Sequence, residues 1–200
     1  MDNYVASRDR AQRYFLGFDQ ETLIRNWKLM HNDTSIFVNF LGRAYRICRN
    51  TGAVFCKEDG LQANFNVVLS IFDLLCHESA QKLLTGRYAP VNSLKGNAAV
   101  GVGTDFYGEF AERIDGDPQN FRQVCLRCGA KAVQMGDIGF CFPVFGHLNV
   151  ILKFYHSDED FPASITLLWD ENMLQFVYYE TVFYIAGALL QRLKEEMERR

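Results

Sequence analysis

The stretch from Leu148 to Leu193 limits the fold more than any other part of the chain. An apolar run, Leu148 to His156, is followed by Ser157-Asp158-Glu159-Asp160-Phe161-Pro162-Ala163, a second apolar run, Ser164 to Asp170, and a long hydrophobic helix from Asn172 onward. Two apolar strands joined by so short a connection pair as antiparallel neighbours, because a parallel return needs a crossover of a dozen residues or more. The following helix must then bury its apolar side on the sheet. The rest of the chain has to supply the other layers.

Upstream, Arg8 to Met30 reads as an amphipathic helix interrupted near Gly17, with Asp19 as a fresh N-cap for Glu21 to Met30. Thr34 to Leu41, Ala44 to Arg49 and Ala53 to Cys56 read as a small antiparallel meander, its second turn made by Asn50-Thr51-Gly52. Leu61 to Leu75 has helical spacing. Thr85 to Gly103, rich in Gly, Asn and Pro, reads as a long loop of the length that serves as a lid or wall. A short helix follows from Phe106 to Ile114, then Asp117-Pro118 opens another that the apolar spacing extends through Cys125, Cys128 and Ala132 to Met135. Ile138 to Phe145 turns extended. Helices and antiparallel strands in this order predict one α+β domain over residues 1–200, a mixed, mainly antiparallel sheet packed on several helices and closed by a long C-terminal helix.

Several function classes are excluded on charge and hydropathy. A net charge of −3 leaves no broad basic field, so no nucleic-acid partner is expected. The apolar stretch Phe176 to Leu190 contains Glu180 and is shorter than the ~20 residues of a membrane span, and the first residues carry no secretory pattern. The expected location is the cytoplasm, with no membrane partner and six reduced cysteines. Cys125 and Cys128 lack the second ligand pair that structural zinc requires, so no metal site is expected there and the thiols read as core residues.

Gly136-Asp137 leading to Pro143, the strand ending at Phe154, the Ser157–Ala163 corner, Leu167-Leu168-Trp169-Asp170 and Glu180 together resemble the domain of unknown function 3786 family. The corner looks like that family's Gly-Asp-Glu-Glu-Phe-Pro, with Ser157 in place of the Gly and Asp160 in place of a Glu. Fainter similarity runs back through Thr85-Gly86 and Leu41 to Tyr45. The resemblance implies an anaerobic bacterial or archaeal setting and a link to corrinoid or tetrapyrrole metabolism. It implies no catalytic residue.

The candidate ligand-binding residues are Asp158, Glu159, Asp160, Glu180 and His156. Asp158 and Asp160 share one direction along an extended corner, and two close carboxylates raise one another's pKa or hold a hard cation. Glu180, set among Phe176, Tyr179, Phe183 and Tyr184, reads as a buried carboxylate that needs a backbone N–H, Arg43, Arg87 or a ligand. His147 is a further lone candidate. The leading expectation is a domain that binds a small molecule or an unidentified cofactor between the long loop, the corner and the Glu180 helix. Two alternatives stay open: an enzyme using the corner carboxylates as a base or divalent-metal site, and an interaction domain docking a redox or methyltransfer protein through the tail Arg192 to Arg200.

Overall fold

A computed structural model describes residues 3–77, 83–94 and 107–199. The chain opens with two helices, α1 (Asn3–Leu16) and α2 (Gln20–Trp27), broken at Gly17-Phe18. Asp19 caps α2 as the sequence predicts, its carboxylate accepting from the Glu21 N–H at 3.1 Å. The meander is also present: β1 (Met30–His31), β2 (Ser35–Phe40), β3 (Arg43–Cys48) and β4 (Val54–Cys56) form a four-stranded antiparallel sheet in that order. Leu41 and Gly42, at φ +50° and +74°, make the β2–β3 turn, and a side chain at Gly42 would run into the Cys128 carbonyl.

Asn64 caps α3 (Phe65–Cys76). After β5 (Tyr88–Pro90) come α4 (Gly108–Gly116) and α5 (Pro118–Arg127), the latter capped by Asp117 with Pro118 in its first turn. The predicted continuation of this helix to Met135 is wrong. Gly129, at φ +81°, ends it, with Ala130 N–H bonded to the Cys125 carbonyl and Gly129 N–H to that of Leu126. This paired closure satisfies carbonyls the helix would otherwise strand. Ala132 then belongs to β6 (Lys131–Ala132).

The second sheet is assembled from β7 (Ile138–Phe145), β8 (Leu148–Tyr155) and β9 (Ser164–Asp170), flanked by β6 and β5 in the order β5-β9-β8-β7-β6. Every described strand pairing in both sheets is antiparallel. The two sheets meet where Leu41 N–H donates to the Val144 carbonyl at 2.9 Å. The long C-terminal helix, α6 (Tyr179–Glu198), packs against α3 and α5. It begins later than the apolar run suggests, because Met173–Gln175 form a separate 3-10 turn.

One continuous cluster of buried side chains runs through both sheets and all six described helices, with Phe15, Phe40, Phe72, Phe121, Phe154 and Trp169 among the largest fully buried. Among the described residues no helix is long and apolar enough to cross a membrane. Of the predicted long loop, residues 95–103 lie outside the described set. The described part, residues 85–94, runs along the β9 edge as β5 and a 3-10 turn at Val91–Ser93. It is fastened there by Asp170, 2 % exposed, whose carboxylate accepts the N–H groups of Thr85, Gly86 and Asn172.

Candidate functional site

The acidic corner is solvent-exposed and spends most of its polar capacity on its own geometry. Asp158 Oδ1 accepts the N–H groups of Asp160 (2.9 Å) and Phe161 (2.8 Å), while Asp158 N–H donates to the Phe161 carbonyl. This is a self-capped turn, the local use of Asp that competes with any role in ligation. Glu159 and Asp160 project outward.

His156 does not join Asp158 and Asp160. Its backbone N–H donates to Asp137 Oδ2, and its ring Nδ1 lies 2.6 Å from Asp115 Oδ1 on α4. Ser157 Oγ donates to the other oxygen of Asp115 at 2.5 Å. Hydrogen bonds from Ser157 and then His156 hold the Asp115 carboxyl below the usual carboxylate range. A Ser–His–Asp relay would need the hydroxyl bonded to the ring instead of to the carboxylate, so this constellation clamps the corner to α4 and activates no nucleophile. Among the described residues no three His, Cys, Asp or Glu side chains converge to hold a metal ion.

Glu180 is exposed in the first turn of α6, not buried in mid-helix, because the helix starts only at Tyr179. There an acidic side chain faces the positive end of the helix. Neither predicted arginine reaches it: Arg43 pairs with Glu58, Glu195 and Glu196, and Arg87 with Glu171. Glu180 lines a hollow of about 430 Å³ between α1, α3 and α6, together with Tyr14, Asp73, Tyr178 and Tyr184. No corner residue belongs to its wall. The corner precedes β9 and Glu180 follows it, so the full strand lies between the two groups in the chain, and among the described residues none of the corner lines the Glu180 hollow.

Asp73 lines the same hollow. Its Oδ2 accepts the Tyr178 N–H at 3.0 Å, serving as a cap for α6 supplied from α3. Burial raises its pKa and the nearby Glu180 charge adds to this, against the lowering effects of the Thr181 hydroxyl, the Tyr178 N–H and His77. Tyr14 is raised for the same first reason, burial, with Tyr178 close by.

A second hollow, of about 660 Å³, adjoins this one. Phe18 and Trp27 come from the two ends of the α2 region, Leu75 to His77 from the end of α3, His147 from the β7–β8 turn, and Phe176 from the link into α6. The rings are fixed edge-on by neighbours: Trp27 against Phe145 (4.9 Å), His147 against Phe176 (5.9 Å) and His77 against Tyr178 (4.6 Å). Gly146, at φ +56°, brings the turn close to the Trp27 ring, and a Cβ there would sit 3.5 Å from it. The polar side chains on the wall are Asp19, Thr22, Asn26, His77 and His147. The Asp19 carboxylate accepts from the Thr22 hydroxyl and the Glu21 N–H, and its pKa is lowered chiefly by the Thr22 bond. The hollows meet at two ring pairs, Tyr14 with Phe18 and Tyr178 with His77.

Of the residues on this wall the sequence offers His147 as a candidate ligand, while it reads Asp19 as a helix cap and Phe176 as a neighbour of Glu180. Asp73 in α3 and His77, the residue that caps its C-terminal end four positions on, carry the remaining signal, a carboxylate and an imidazole spaced by one turn at the end of a mostly apolar helix. Cys125 and Cys128 are buried with their thiols pushed up by burial, so they are core residues. The tail is likewise committed: Arg192, Leu193 and Met197 are buried and Glu196 pairs with Arg43.

A family model described as Domain of unknown function (DUF3786) matches residues 19–192. No curated protein and no solved structure matches the chain.

Proposed function

From the premise that the chain belongs to the DUF3786 family, whose description names no activity, we propose that it is a small-molecule-binding domain with its ligand in the hollow between α2, α3, the β7–β8 turn and Phe176. One observation carries this reading: three aromatic side chains and two imidazoles from four separate elements line the same concavity of about 660 Å³. Ligand pockets are typically of this size, apolar and aromatic with a few convergent polar groups. The walls suit a flat ligand. His77 and His147 are the side chains that would meet a metal carried at the centre of a tetrapyrrole or corrinoid ring, and such a group would supply its own redox or methyl-carrier chemistry.

The test is a melting and absorption series against haem and cobamides on chain purified from an anaerobic host, with His147→Ala and Asn26→Ala beside the unmodified protein. Both positions are exposed, so neither change should disturb folding. A rise of several degrees in the unmodified protein that His147→Ala halves or abolishes supports the reading. A colourless protein whose melting responds to none of the compounds refutes the tetrapyrrole version. Equal responses in all three proteins to any ligand that does bind refute the location.

A second reading has one observation in its favour. Asp73, with its raised pKa, and Glu180 line one hollow beside Tyr14 and are the two carboxylates that an acid–base enzyme would use in place of the corner. Under it, ligand binding at the larger hollow would be unaffected by Asp73→Asn while any turnover is lost.

A further inference from the structure

Arg192 is 8 % exposed, and its Nε and Nη1 atoms are buried with no hydrogen-bond partner among the described residues. No described carboxylate pairs with it either. It projects from α6 into a three-way junction with the β2–β3 turn and the end of α5, where a Cβ on Gly42 would lie 3.0 Å from Nη1 and 2.6 Å from the Cys128 carbonyl. Arg43 Nε, from the adjoining strand, is a third buried guanidinium nitrogen without a hydrogen bond, its nearest carboxylate being Glu58 at 3.4 Å. Both arginines line one small cavity of about 30 Å³, which is open on the side of the exposed Asn64 and Gln191.

The acceptors around that cavity are already taken. Asn64 Oδ1 caps α3, Gln191 Oε1 accepts from Asn64, and the two oxygens of Glu195, which also lines the cavity, accept from Gln191 and Arg43. Tyr45 adds a phenol whose pKa burial pushes up to about 12, so it stays protonated. The two guanidiniums and the Tyr45 hydroxyl are the donors on this wall, beside a space of about one water-sized particle, and each amide or carboxylate side-chain oxygen there already accepts one hydrogen bond. A water molecule would bring two further protons into that set. A monatomic anion accepts from every donor and supplies the charge that the buried guanidinium lacks.

We propose that this cavity binds a single halide-sized anion, held by Arg192 and Arg43, which pins the β2–β3 turn and the end of α5 to the C-terminal helix. Its volume matches a monatomic ion more closely than phosphate, sulfate or a carboxylate. The site is separate from the proposed ligand hollow and stands or falls independently of it.

The full chain is melted in sodium chloride and in sodium gluconate at matched ionic strength. Chloride is expected to raise the melting temperature by about 3–6 °C for each tenfold increase above its Kd, and gluconate to leave it unchanged. In Arg192→Met the chloride response should disappear. Crystals of the unmodified chain grown with bromide should show an anomalous peak between the two guanidiniums, a readout that does not depend on the variant folding. Identical melting in the two salts, a chloride response that survives Arg192→Met, or a water molecule at that position in bromide-grown crystals each overturns the proposal.

Discussion

Replacing Asp170 by Ala tests how the fold carries Phe176 to the candidate hollow. The Asp170 carboxylate accepts from Gly86 N–H at 2.8 Å, Asn172 N–H at 2.9 Å, Thr85 N–H at 3.0 Å and the Thr85 hydroxyl at 3.2 Å. The substitution strands three backbone donors, each worth about 1 kcal/mol net when bonded and more when left buried without a partner. The junction is partly open to water, so the expected loss is about 3–4 kcal/mol, a large share of the roughly 5–15 kcal/mol that stabilises a domain. Asp170→Asn keeps one acceptor but turns an NH₂ toward the same donors, and about 2 kcal/mol is expected. Equilibrium urea unfolding reads both changes, and the melting temperature should fall by about 10 °C in the Ala variant. Hydrogen exchange should speed first at Thr85, Gly86 and Asn172, and then through the linked segment, because Asn172 Nδ2 donates to the Leu83 carbonyl and Leu83 N–H to Gln175 Oε1. A loss below about 1 kcal/mol at unchanged m-value would show that water replaces the carboxylate, and the account of this junction would fail.

Two further outcomes follow from the titratable groups. Asp73 has a folded pKa above its unfolded value, so its contribution to stability is present below about pH 4 and is lost as pH rises through the folded pKa. Asp73→Asn, which keeps an acceptor for Tyr178, should therefore melt progressively higher relative to the unmodified protein across that window, with a constant difference above it. Asp115, lowered by Ser157 and His156, has the opposite sign: Asp115→Asn should remove a loss of stability that occurs only as pH falls below about 4. Pulse alkylation of the native protein should modify Cys48 first, since the Thr51 hydroxyl lowers its pKa, whereas Cys56, Cys76, Cys125 and Cys128 are buried. A fast phase that survives Cys48→Ser would contradict this order.

Much of the architecture was legible in the residues because it rests on local rules. Asp19 and Asp117 each cap the helix that follows, and the apolar runs at 138–145, 148–155 and 164–170 are the strands of the larger sheet. Gly129 was an equally local signal, but the apolar spacing of Cys125, Cys128 and Ala132 concealed the helix end. A helix and a strand both place apolar residues on one side, and over so few residues periodicity does not separate them.

The site was legible only in fragments, since neither charge nor apolar surroundings in sequence gives the direction in which a side chain faces. The corner carboxylates announced themselves by composition, yet Asp158 is consumed by its own turn and His156 by Asp115, a residue 41 positions away. Glu180 seemed enclosed by aromatic neighbours along the chain, but a start at Tyr179 leaves it facing solvent.

Sequence by itself determined an α+β chain with antiparallel strands, capped helices and buried Cys125 and Cys128, because those properties depend on contacts within a few residues or on composition. Tertiary structure decided where the hollow lies and which side chains line it. Trp27, His77, His147 and Phe176 are spread over more than 140 positions and meet only once α2, α3 and the β7–β8 turn have packed together. The same packing buried Arg192 beside Arg43. Such convergence is set by packing between elements distant in sequence, which local periodicity and composition do not encode.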